Sequence, residues 1–211
     1  MTTAIFQPGY HAGRPAPNKG RKYPPEILTS DEVKALIRAC SNRAPTGIRN
    51  RALIAILYRG GLGLGEALAL KSKDIDLDQG TVILHGKGDR RRVVGLDPGA
   101  IAMVARWADR RKEMGIPPRE SLFCTLEGRN IKPSYVRTLL RRLAAKVGIE
   151  KRVHPHGLRH SLAYEVMMEG IPVPIIQHHL GHTSLATTDR YLRHLDPADV
   201  IGAMQRREWS L

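Results

Sequence analysis

At 211 residues the chain is long enough to bury one sizeable core, and its 34 lysines and arginines against 20 aspartates and glutamates leave a net charge of +14. A surplus of that size makes a polyanion the natural partner. Cys40 and Cys124 lie far apart in apolar segments, which suits reduced core thiols and implies no disulfide framework; with no long apolar run and no leader-like start, the expectation is a soluble, cytoplasmic protein.

Residues 1–28 are rich in glycine, proline and basic side chains and carry neither a helical nor a strand period, so they read as a flexible tail or linker. Arg14, Lys19, Arg21 and Lys22 in it suit a nucleic-acid backbone as well as they suit a merely solvated tail. The pattern changes at Thr29, and the region 29–211 reads as a single domain. Thr29 and Glu32 fit a capping box ahead of Val33, Leu36 and Ile37, predicting a helix to about Cys40. After a Pro/Gly turn, Arg49 to about Gly60 predicts a strongly apolar core helix. Gly60, Gly61, Gly63 and Gly65 then crowd a loop before a helical turn at Glu66–Leu70. A phosphate-cradling loop is rejected there, because no Lys-Ser/Thr follows the last glycine and no apolar strand precedes the first.

Ile75–Leu77, Thr81–His85 and Arg92–Val94, joined by a Gly-Lys-Gly-Asp turn at 86–89, predict a small antiparallel sheet. A helix follows over 97–114, with Ile101, Val104, Ala105 and Ala108 inward and Arg106, Arg110, Arg111 and Lys112 outward. Ser121–Cys124 predicts a short strand. Pro133–Val147 predicts an amphipathic helix with Tyr135, Leu139, Leu140 and Leu143 on its apolar side. From Arg129 to Arg152 eight basic residues face one acid, a stripe including Arg129, Lys132, Arg137, Arg141 and Arg142 that favours nucleic acid, as do Arg90 and Arg91 beside the turn. A last helix is expected over 196–208. The predicted fold is therefore mainly helical with a small antiparallel sheet.

Seven of the nine histidines fall within residues 154–194. His156 and Arg159 are three apart and His160 is four from His156, so a helix opened by Pro155 would place all three on one face of its first turn. Free backbone N–H groups, a guanidinium and an imidazole together suit an anion. Pro172 and Pro174 break the pattern, Gly181 supplies a tight turn before His182, and a further short helix from Ser184 carries Tyr191. The chain is thus expected to fold back, returning His182 and Tyr191 toward Arg159.

The ordered pieces HGLRH (156–160), LGH (180–182) and ATTDRYL (186–192) resemble the signature of the tyrosine recombinases, the phage-integrase family of DNA strand-exchange enzymes. The resemblance covers about residues 29–195 and implies that family's catalytic-domain fold. It implies Tyr191 as the nucleophile forming a 3′-phosphotyrosine, Arg159 gripping the scissile phosphate, and His156 and His182 donating to its oxygens. Lys87, at the hairpin tip, would protonate the departing 5′-oxygen. It also implies double-stranded DNA as partner, with tetramers forming on it. No cofactor or metal is called for; the His156/His160 and His178/His182 spacings, which can clamp zinc on a helix, enclose no helical glutamate and have no cysteine near. His160 reads as a supporting group, and His154, His178, His179 and His194 as surface or DNA-facing.

One position departs from the pattern. Family members usually carry an arginine between a Gly-Leu pair and a segment ending in Glu; GLGLGEALALKSKDIDL (61–77) fits throughout except that Gly63 stands there. One preorganised donor at a transition-state oxyanion is worth roughly 3–4 kcal/mol, about a hundred- to a thousandfold in rate. Arg59, four residues earlier, could supply a substitute charge, although nothing in the pattern requires it. Two readings of different class follow: site-specific recombination through a phosphotyrosine, with activity impaired at Gly63, or a DNA-binding accessory protein on the same fold. A metal-dependent nuclease is a weaker third.

Overall fold

The computed structural model of the chain describes residues 26–85 and 91–181. Its core begins at Leu28, one residue before the change of composition: the side chain is buried and its N–H donates to Ser161 Oγ at 2.8 Å. Helix α1 is Ser30–Ala39. Thr29 caps it reciprocally, its Oγ1 accepting from Glu32 N–H at 3.2 Å while its own N–H donates to the Glu32 carboxylate at 2.7 Å.

Helix α2, Pro45–Arg59, is the spine of the molecule. It starts four residues before the expected Arg49, because Pro45 sits at its first position, where a missing N–H costs nothing. Ala52, Leu53, Ile54, Ala55, Ile56 and Leu57 are all at most 1 % exposed. A helix apolar on every side must be covered on every side. α1, α4 (Pro98–Glu113) and α6 (Pro155–Met168) supply that cover.

The short helix α3 (Leu64–Ala69) leads through a 3₁₀ turn at Ser72–Asp74 into an antiparallel sheet in the order β1 (Ile75–Asp76), β2 (Thr81–His85), β3 (Arg91–Gly95). Val82 pairs with Val94 and Leu84 with Arg92. Val82, Leu84 and Val94 are buried, so Arg92 shares the inward face while Arg91 and Val93 point outward.

Three expectations about side chains need correction. α4 faces inward through Ala100, Val104, Trp107 and Arg111. Arg111, expected outside, is 3 % exposed and donates to Ser72 Oγ at 2.6 Å and to the carbonyls of Pro117 and Glu120 at 3.3 Å; a long side chain that finds three acceptors can be buried with its charge. The Ser121–Cys124 segment forms only isolated bridges, Ser121 to Lys71 and Cys124 to Asn130. Leu122, Phe123 and Cys124 are buried in succession, without a strand's alternation. In α5, Pro133–Lys146, the inward residues are Val136, Leu140, Leu143 and Ala144, while Tyr135 stays partly exposed.

Pro172 and Pro174, expected to break the pattern, instead open helix α7, Val173–Leu180, whose first N–H groups would have no helical partner in any case. Gly181 ends α7 at φ 69°, the tight turn expected there. Among the described residues no helix is long and apolar enough to cross a membrane.

Candidate active site

The residues nearest the expected chemistry gather where α3, β3, α6 and α7 meet. Helix α6 opens at Pro155 as the sequence predicts, with His154 as its cap: Nδ1 accepts the Gly157 N–H at 3.1 Å. One of the backbone donors expected to be free for an anion is thus already used. Because Nδ1 accepts, it carries no proton, and burial followed by the charge of Arg152 holds the imidazole below its usual pKa against the opposing pull of Glu26. His156, in the first turn, is exposed, and its ring meets that of buried His160 edge-on with centroids 4.0 Å apart.

Arg159 lies two residues before the Ser161 that anchors Leu28, and it is 9 % exposed. Its Nη1 donates to Gly61 O at 2.6 Å and its Nη2 to Leu180 O. The acids nearest to it along its own helix and just beyond, Glu165 and Glu169, do not hold it. Glu165 instead accepts from Tyr58 at 2.7 Å and pairs with Arg59 at 2.8 Å. Both carbonyls that orient Arg159 come from distant segments, the glycine loop and the end of α7. Gly61 is at φ 60°, and a Cβ there would meet Leu180 and Leu162 at 2.7 and 2.8 Å, so this turn requires glycine.

Gly63 caps α3 with an ordinary extended backbone, φ −64° and ψ 149°. Its N–H donates to Glu66 Oε2 at 2.7 Å. Arg92 grips the same carboxylate from β3 with Nη1 2.6 Å from Oε1 and Nη2 3.0 Å from Oε2, and Arg159 Nη1 stands 3.8 Å from Oε2. Burial raises the Glu66 pKa, but the Arg92 hydrogen bonds, the Gly63 N–H and the two positive charges outweigh it and keep the carboxyl below its usual range.

His179 completes this side. Its Nε2 lies 3.1 Å from Gly60 O, which can only accept, so Nε2 carries the proton. Burial lowers its pKa against the pull of that carbonyl, and the charges of Arg92 and Arg159 lower it further. His179 and His154 are therefore structural imidazoles, where a surface or DNA-facing position was expected; His178 is exposed as expected.

Arg59, the substitute charge suggested by the sequence, is committed elsewhere. It binds Asp97 at 2.7 Å and Glu165 at 2.8 Å. Of the basic residues expected to meet nucleic acid, Arg91, Arg129, Lys132, Arg137, Arg141 and Arg142 are all exposed. Arg129 and Lys132 line one hollow with Ser134 and Tyr135 at the start of α5. Buried Arg49 forms its floor, donating to Tyr135 Oη at 2.7 Å and to Cys124 O at 3.0 Å. Lys87, Arg90, His182, Tyr191, the tail up to residue 25 and the expected helix over 196–208 lie outside the described residues.

Sequence reasoning missed Arg92 and Glu66. A signal for Arg92 was present: it has the same strand parity as the apolar Val94, whereas Arg91 does not.

The sequence model described as the phage integrase family matches residues 26–197. The tyrosine recombinase XerC of Xanthomonas axonopodis pv. citri is 38 % identical over 181 residues, covering 86 % of this chain and 57 % of that protein. The tyrosine recombinase XerD of Bifidobacterium longum is 33 % identical over 193 residues, covering 87 % and 62 %. The chain thus spans somewhat over half the length of these curated relatives. Among solved structures, the XerA recombinase superposes with a TM-score of 0.77 at 31 % identity, covering 89 % of this chain and 68 % of that one. A XerH recombinase bound to palindromic difH substrate, a post-cleavage complex, gives 0.71 at 29 % identity over 87 % and 54 %.

Proposed function

Because the chain belongs to the phage integrase family, we propose that it cuts and rejoins DNA at specific sites through a tyrosine-linked intermediate. The observation that carries this reading is the setting of Arg159: a buried guanidinium fixed by two backbone carbonyls from separate segments, on the first turns of a helix that also presents His156. The carbonyls fix the plane of the fork beside the Glu66 carboxylate 3.8 Å away, a preorganised geometry suited to a phosphodiester.

In this reading Tyr191, as its phenolate after losing the hydroxyl proton to solvent, attacks the scissile phosphorus, forming a 3′-phosphotyrosine bond as the bond to the 5′-oxygen breaks. Lys87 gives that oxygen its proton. Arg159, His156 and His182 hold the non-bridging oxygens, on which negative charge grows in the transition state. Attack by a 5′-hydroxyl reverses the step, so the bond energy is kept and no nucleotide hydrolysis is needed. The exposed basic residues Arg91, Arg129, Lys132, Arg137, Arg141 and Arg142 contact DNA phosphates together with Arg90. The protein acts in the cytoplasm and assembles into tetramers on paired recombination sites.

A second reading, a DNA-binding regulator that does not cleave, is favoured by Gly63 alone. One experiment separates the two. Nicked duplexes carrying candidate inverted-repeat sites are incubated with the protein in excess EDTA, and a denaturing gel is read for a covalent protein–DNA band. The expected band disappears in Tyr191→Phe. Bound DNA without a band in either the wild type or Gly63→Arg would remove the enzymatic reading, and a band that only Gly63→Arg yields would identify a disabled binder.

A further inference from the structure

We propose that Arg92 is a second phosphate-binding arginine of this site, a role that rests on the cleavage reading above. Two charged, non-bridging oxygens develop in the transition state, and one guanidinium fork matches one edge of them. The sequence pattern calls for an arginine at position 63 on the other edge, and glycine stands there. Arg59 cannot take its place, since Asp97 and Glu165 hold it.

Arg92 is placed and equipped to do so. Its strand parity turns it inward, where Glu66 fixes its head by two contacts of 2.6 and 3.0 Å. Those contacts engage two of a guanidinium's five N–H groups. Among the described residues its Nε is buried and has no acceptor. Arg92 and Arg159 flank one carboxylate oxygen, Glu66 Oε2, at 3.0 and 3.8 Å. That same oxygen accepts the Gly63 N–H at 2.7 Å and would lie 3.2 Å from a Cβ at position 63. A side chain entering from residue 63 would thus first meet the Glu66 carboxylate that Arg92 holds.

Its other neighbour is the end of α7. A Cβ at Gly181 would fall 2.7 Å from Arg92 Nη1, so the arginine head fills the space this glycine leaves, next to the Leu180 carbonyl that orients Arg159. Two positive forks therefore adjoin one carboxylate. The depressed pKa of His179, to which both arginines contribute, is the same field seen by a third group.

The test compares wild type, Arg92→Gln, Arg92→Lys, Gly63→Arg and the Gly63→Arg/Arg92→Gln double variant for the rate of covalent adduct formation. Each meets a nicked duplex with an ordinary scissile phosphate, and one with a methylphosphonate there, in which a methyl group replaces a charged oxygen. Arg92→Gln is expected to slow the ordinary substrate by about a hundredfold or more while DNA affinity holds. It should lose far less on the methylphosphonate, which needs less countercharge, and the double variant should recover. Arg92→Lys, which keeps the charge but not the fork, should fall between, and it serves as the folded control.

Equal loss on both substrates, with no recovery in the double variant, would reduce Arg92 to a prop for Glu66 and overturn the proposal. So would an Arg92→Gln that cleaves at the wild-type rate. A wild type that is inert while Gly63→Arg cleaves would show that Arg92 does not stand in for the missing charge, and would leave the cleavage reading intact. Failure of both on DNA that they bind would instead remove the cleavage reading itself.

Discussion

His154 accepts a backbone N–H with the nitrogen that acid would protonate, so its charge state and the cap of α6 are one equilibrium. Its pKa is depressed on folding, as is that of His179, whose ring is packed beside Arg92 and Arg159. Below an unfolded value of about 6.5, the unfolded chain takes up protons that the folded chain refuses, so stability falls as pH drops through that value. Carboxylates such as Glu66 and Asp97, also depressed, begin to lose their contribution only at lower pH, near and below the ordinary carboxyl range. The expected result is a decline in unfolding free energy between neutral pH and the onset of carboxyl titration. His154→Asn, which can still cap but cannot titrate, should make that decline shallower. Urea titrations at a series of pH values measure this, and an unchanged slope in the variant would show that the cap is not its source.

At the scale of elements, α2 governs the fold, and its sequence announces it. A segment apolar on all faces can only be an interior helix, and Leu53 at its middle is wholly buried. Leu53→Ala is expected to destabilise by about 2–5 kcal/mol, read as a shift in urea midpoint with an unchanged m-value; a shift near zero would mean that α2 is not the packed centre. The helix caps and the hairpin strands were equally legible, because Thr29, Glu32 and the alternating β-branched runs act on their immediate neighbours. What could not be read locally was decided by distant partners. Arg111 is inside because Ser72, Pro117 and Glu120 offer oxygens, and Tyr135 stays at the surface with its hydroxyl tied to buried Arg49. Pro174 read as a helix breaker, since the sequence does not mark which of several turns becomes the first turn of α7.

For the whole molecule the same distinction decides how far the site could be foreseen. Arg159 and His156 stood out through their spacing along one helix, whereas the cradle around Arg159 joins Gly61, Glu66, Arg92 and Leu180 from four separate segments. No periodicity links such positions; only the packing of α3, β3 and α7 around α6 does. The net charge of +14 belongs to this scale too. If α5 lies along DNA, replacing Arg137, Arg141 and Arg142 by alanine should flatten the dependence of log affinity on log salt by about 0.9 for each phosphate that is no longer neutralised, measured by fluorescence anisotropy over a salt series. An unaltered slope would take α5 off the interface. Finally, the two glycines at 61 and 63 stand under opposite constraints. The backbone at 61 has a positive φ and no room for a side chain, while 63 is extended and a Cβ there would lie 3.2 Å from the Glu66 carboxylate. Glycine and arginine codons differ by a single base, and the backbone at 63, unlike that at 61, admits a side chain once the Glu66 carboxylate gives way by a few tenths of an ångström. Selection on what the site does, rather than on whether the chain folds, is left to decide which residue stays.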